Sequence, residues 1–127
     1  MKTIVQEYDI NSSIEKVWEA LTKTSLIEKW GAGPAKMDDK EGTKFSLWGG
    51  DIHGTNIEME PYQKIVQEWY SGNWKEPSIL TLKLIKTGQN TKLELLHENV
   101  PDDEYDDIKN GWEDYYIGPL REYLESL

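Results

Sequence analysis

Apolar positions along this chain change period three times, and each change marks a change of structure. Residues 2–10 alternate, with Ile4, Tyr8 and Ile10 on one face, the period-two pattern of a half-buried strand. Ile14, Val17, Trp18 and Leu21 then fall at i, i+3, i+4 and i+7, which predicts a short helix with one buried stripe. Ser12 and Glu15 have the spacing of a capping box at its start. Ser25 and Glu28 repeat that spacing ahead of Leu26, Ile27 and Trp30, and Gly31 supplies a left-handed stop for a second short helix. From there the period returns to two, predicting strands over 35–38, 43–48, 51–59, 64–70, 79–86 and 91–98. The connectors carry turn residues, among them Glu41-Gly42, Gly49-Gly50, Pro61-Tyr62 and Gly88-Gln89-Asn90. Connections this short require antiparallel neighbours, because a parallel pair needs a crossover of a dozen or more residues.

The last quarter, 100–127, reads as one long amphipathic helix. Tyr105, Ile108, Trp112, Tyr115, Tyr116, Leu120, Tyr123 and Leu127 form its stripe, and five of these eight are aromatic. So many bulky rings call for a concave partner, which a curved sheet supplies. Gly118-Pro119 interrupts the helix; proline lacks an amide donor and crowds the carbonyl of Tyr115, so a kink is expected there. Such a kink either lifts the helix off the sheet and widens a cavity or lets it follow a curved surface. The expected architecture is α+β: a curved antiparallel sheet of about seven strands, two short helices, and a long C-terminal helix packed across it.

Composition narrows the function. Twenty-four acidic residues against fourteen basic ones give a formal charge of −10, which repels phosphate backbones and anionic lipid, so neither nucleic acid nor membrane is an expected partner. The chain has no cysteine, which removes disulfides, thiol nucleophiles and thiolate metal sites. With no apolar run near the ~20 residues of a membrane span, and no signal-peptide pattern after Met1, a cytoplasmic address is expected. Residues 1–127 read as one domain, and a monomer is expected. No phosphate-cradling glycine loop, dinucleotide fingerprint or nucleophile elbow is present, and the two histidines lie 44 positions apart (53 to 97) without metal-ligand spacing. No cofactor or metal is expected.

Several stretches carry a likeness to a known family: Val17-Trp18-Glu19-Ala20-Leu21-Thr22, Glu28-Lys29-Trp30, Gly54 with Glu60-Pro61, Lys64-Ile65-Val66 with Trp69, Val100-Pro101, and Gly111-Trp112 with Tyr115. With these words in this order, the chain resembles the helix-grip superfamily of START-like (SRPBCC) domains, which includes lipid-transfer domains and polyketide cyclases. Within it the chain is most similar to activator-of-heat-shock-protein-90-ATPase homologues. The resemblance implies a helix-grip fold and a hydrophobic cavity between sheet and closing helix. It also implies a stress-response chaperone as a possible partner. Eukaryotic co-chaperones of the family carry a further N-terminal domain, and this chain matches only their C-terminal-type domain.

The candidate cavity lining is Trp30, Phe45, Trp48, Trp69, Leu80, Leu82, Leu95, His97, Trp112, Tyr115 and Tyr116. The tryptophans either line a pocket or fill the core. By alternation His97 shares a face with Leu93 and Leu95 and points toward Trp112 or Tyr116. It is either a polar anchor or acid–base group for a ligand, working with Tyr115 or Tyr116, or a satisfied histidine at a strand end. No other catalytic residue suggests itself. The acidic run Asp102, Asp103, Glu104, Asp106 and Asp107 complements a helix N-terminus, with a basic partner or a cation as the alternative. Three functions remain: a binder of a lipid-like or polyketide-like small molecule, a co-chaperone-like interaction module, and a cyclase- or hydrolase-like enzyme using His97.

Overall fold

A computed structural model describes residues 1–127. Strand β1 (Lys2–Ile10) leads into helices α1 (Ile14–Thr22) and α2 (Thr24–Trp30), which are followed by β2 (Lys44–Leu47), β3 (Ile52–Glu60), β4 (Lys64–Ser71), β5 (Ser78–Thr87) and β6 (Asn90–Val100). The closing segment comprises α3 (Tyr105–Gly111), a π-helical stretch (Trp112–Ile117) and α4 (Gly118–Glu125). The six strands form one antiparallel sheet in the order β1-β6-β5-β4-β3-β2, so β1 returns to pair with the last strand while the others meander. This is the α+β helix-grip architecture expected above, with one strand fewer.

The missing strand is 35–38. Only Lys36 bridges to Ser46 there. The neighbouring amides are taken by side chains: Ala35 N–H donates to the Glu28 carboxylate at 3.2 Å and Met37 N–H to Thr24 Oγ1 at 2.9 Å. Donors satisfied in this way have nothing to give a ladder. The same contact explains Glu28. It does not cap α2, whose N-cap Lys23 makes no side-chain bond, but ties down the loop beyond that helix. The first cap is displaced by one residue: Ser13 Oγ, not that of Ser12, accepts from Lys16 N–H at 3.3 Å.

Strand alternation puts Leu80, Leu82 and Leu84 beside His97, Leu95 and Leu93 on the concave face, where α1 packs against β5 and β6. The closing helix is pinned at both ends. Gln6 Nε2 donates to the Lys109 carbonyl at 3.2 Å, the Trp74 indole donates to the Glu104 carboxylate, and Asn11 N–H donates to the Glu125 carboxylate at 2.9 Å. No helix is long and apolar enough to cross a membrane.

At Gly118-Pro119 the helix does not break. The backbone stays right-handed through Gly118 (φ −57°, ψ −56°), and the extra residue of the preceding wide turn accommodates the ring of Pro119. A Cβ on Gly118 would collide with the Glu113 carbonyl oxygen, so the π turn depends on glycine at that position. The wider turn also rotates the stripe. Trp112, Tyr116, Ile117, Leu120 and Leu124 are buried, whereas Tyr115 is 68 % exposed.

Candidate ligand-binding cleft

An open cleft of about 320 Å³ lies between the closing helix and the β3–β4 end of the sheet. Trp48, Asp51, Ile52 and Trp69 form one wall; Asp107, Ile108, Gly111, Trp112, Tyr115 and Tyr116 form the other. The helical members recur at i, i+1, i+4, i+5, i+8 and i+9, which is one face of the rod. Their rings touch in sequence: Trp69 to Trp112 at 5.5 Å between centroids, Trp112 to Tyr116 at 4.8 Å, and Tyr116 to Trp48 at 6.2 Å.

Trp48 occupies its wall at a conformational cost. Its φ is 49°, in the left-handed region that a bulky side chain seldom enters, and Gly49 (φ 67°) and Gly50 (φ 103°) continue the turn. Two hydrogen bonds hold it there: its amide donates to the Ala32 carbonyl at 2.9 Å and its indole to the Gly31 carbonyl at 3.0 Å. Residues kept in sparsely populated backbone regions cluster at binding and catalytic sites. On the same wall Gly54, paired with Trp69, lets β4 approach so closely that any Cβ would strike the Glu68 carbonyl oxygen.

Five of the residues expected to line a cavity do so: Trp48, Trp69, Trp112, Tyr115 and Tyr116. Tyr115 stands at the mouth rather than inside, for the helical reason given above. Six do not. Trp30, Phe45, Leu80, Leu82, Leu95 and His97 are at most 5 % exposed and belong to the packed interior. Trp30 lies behind Tyr116, with ring centroids 5.0 Å apart, and its indole donates to the Ala20 carbonyl at 2.9 Å. The leucines are covered because α1 packs against β5 and β6 on the concave face, within one continuous core, and the cleft opens at the β3–β4 end of the sheet. Asp51, Ile52, Asp107, Ile108 and Gly111 were not anticipated. The signals for them were the spacing on the helix and the position of Asp51-Ile52 just after the double-glycine turn.

His97 is fully buried behind the cleft. The Trp112 indole donates to its Nδ1 at 3.1 Å, so the neutral ring carries its proton on Nε2 and donates to Ser78 Oγ at 2.7 Å. Ser78 in turn donates to the Trp69 carbonyl at 2.6 Å. Burial holds the imidazole pKa down at about 3, so the ring is neutral at any physiological pH. Both nitrogens are engaged with Ser78 and Trp112 rather than with a tyrosine, and burial pushes the Tyr116 hydroxyl above its ordinary range. An acid–base pair of His97 with Tyr115 or Tyr116 is therefore not assembled. His97 instead fixes the two tryptophans that form the floor: its ring stands edge-on to Trp69 at 4.6 Å and to Trp112 at 5.5 Å. A second buried polar pair lies further along the sheet, where Gln67 Nε2 donates to Asn56 Oδ1 at 2.9 Å.

One polar atom is left over. The Trp69 indole N–H is the only buried side-chain nitrogen or oxygen in the chain without a hydrogen-bond partner. Buried donors are rarely left so, and the ring carrying this one lines the cleft.

Comparison with known proteins agrees with this architecture. The Plasmodium falciparum protein described as an HSP90 activator superposes with a TM-score of 0.88 at 28% identity, over 98% of this chain and 97% of that one. The mouse activator of 90 kDa heat shock protein ATPase homolog 2 is 26% identical over 117 residues, covering 91% of this chain and 35% of the relative. The Dictyostelium discoideum homologue is 28% identical over 114 residues, 87% of this chain and 30% of its own length. The chain thus spans about a third of the curated relatives it matches. The model of the Activator of Hsp90 ATPase homolog 1-like proteins matches residues 11–125, and the chain belongs to that family.

Proposed function

We propose that this protein binds a compact, largely apolar small molecule in the cleft under the closing helix. The observation that carries the reading is the contiguous set of aromatic rings around an open volume. A volume of about 320 Å³ stands at the low end of small-molecule sites, which span roughly 300–1,000 Å³. It suits a ligand of up to three aromatic rings or a short branched chain and is too small for a sterol. The chemistry on offer is burial and orientation: the accessible titratable groups on the lining are two exposed carboxylates and the Tyr115 hydroxyl at the mouth.

The neutral fluorophore N-phenyl-1-naphthylamine tests this. Saturable 1:1 enhancement of its emission, lost in Ile108→Asp, is the expected result. A flat titration, or one unchanged by that substitution, refutes the reading.

A second reading has its own support. The Plasmodium falciparum relative, which matches this chain over almost its whole length, is described as an HSP90 activator. On that reading the acidic surface docks on a basic face of an Hsp90-type chaperone. Stimulation of the chaperone's ATPase by this chain is the test, and an unchanged rate at saturating protein rejects it.

A further inference from the structure

The cleft has a charge preference written into its lining. Its walls carry two carboxylates, Asp51 and Asp107, and no lysine, arginine or histidine. Neither carboxylate takes part in any of the ion pairs the protein makes. The aromatic rings show the same vacancy. Outside the cleft two of the five tyrosines are covered by the protein's own cations: Lys2 and Lys109 lie over Tyr105 at 4.8 and 5.7 Å, and Arg121 lies over Tyr8 at 5.8 Å. Inside it, five rings have no cation over them. A ring face is the negative end of the aromatic quadrupole, and a group of such faces around a cavity favours a cation whose charge is spread over alkyl groups. Alkylation matters because a bare ammonium loses more hydration than these rings and two solvent-exposed carboxylates return.

Resting on the ligand-binding reading above, we propose that the cleft selects a small organic cation with an alkylated nitrogen. The nitrogen lies against Trp48, Trp112 and Tyr116 with Asp51 and Asp107 at the mouth. Anionic ligands of the same shape, such as short branched carboxylic acids, are excluded by the carboxylates and by the overall charge of −10.

The test is a matched pair of probes, acetylcholine and its uncharged carbon isostere 3,3-dimethylbutyl acetate, titrated into the isotope-labelled protein and followed by the indole N–H signals. The two share their shape and their ester, so only the charge differs. Acetylcholine is expected to bind about tenfold more tightly, and this advantage is expected to shrink in the Asp51→Asn/Asp107→Asn double variant. Equal affinities overturn the charge preference and leave the apolar binder standing. An advantage undiminished in the double variant overturns the assignment to this site. If neither probe saturates at 10-fold excess over about millimolar protein while N-phenyl-1-naphthylamine does, the inference falls alone; if all three fail, the ligand-binding reading falls with it.

Discussion

Replacing His97 by glutamine isolates the electrostatic consequence of burying an imidazole beneath the cleft. In the folded protein the His97 pKa lies at about 3, whereas the unfolded chain has the ordinary value of 6.5. Between those limits the unfolded chain takes up a proton that the folded chain refuses. The stability associated with a neutral His97 is therefore complete above pH 6.5 and declines as pH falls toward 3. The slope approaches about 1.4 kcal/mol per pH unit, so from pH 7.5 to 4.5 the loss is about 2–3 kcal/mol. Glutamine does not titrate, and its amide can still accept from Trp112 and donate to Ser78. The carboxylates of this acidic chain titrate in both proteins and cancel in the difference. Urea unfolding followed by far-ultraviolet circular dichroism at the two pH values measures it. Wild type is expected to lose about 2–3 kcal/mol more than His97→Gln on acidification. Equal losses, or a His97 ring proton titrating near pH 6.5 in the folded protein, would refute the reasoning.

Three further outcomes are expected. Ser78→Ala leaves His97 Nε2–H without an acceptor and the Trp69 carbonyl without its hydroxyl donor, and should cost about 1–3 kcal/mol in chemical denaturation. Gly54→Ala drives a methyl into the Glu68 carbonyl and should cost at least about 2 kcal/mol, with lost amide-exchange protection centred on β3 and β4. Tyr115→Ala removes a ring that is mostly in solvent, so stability should change by no more than about 0.5 kcal/mol while affinity for N-phenyl-1-naphthylamine falls.

Where one face of an element is buried along its whole length, the sequence could be read directly. The leucines of β5 and β6 and the stripe of α1 are examples, because burial of a regular element imposes its own period on the residues. The misreadings have local causes. Residues 35–38 alternate like a strand, yet their amides are claimed by Glu28 and Thr24, and no periodicity records such side-chain contacts. The exposure of Tyr115 follows from one extra residue in a π turn. Gly118 marks that turn, but glycine beside proline reads equally well as a kink. His97 was correctly aimed at Trp112, yet Ser78, its second partner, lies 19 residues away on the neighbouring strand and has no motif. Cavity limits were the least legible of all. Leu80, Leu82 and Leu95 share a face with the cleft's floor, and only the three-dimensional position of α1 decides that they are covered.

The six indole N–H signals of the labelled protein give the most direct test of the central claim, that an apolar ligand sits between β3–β4 and the closing helix. On saturation with N-phenyl-1-naphthylamine, the signals of Trp48, Trp69 and Trp112, whose rings line the cleft, should move with the ring current of the probe, while Trp18 and Trp30 stay in place. Shifts centred on Trp18 or Trp30, or a spectrum that does not change at saturating probe, would contradict it.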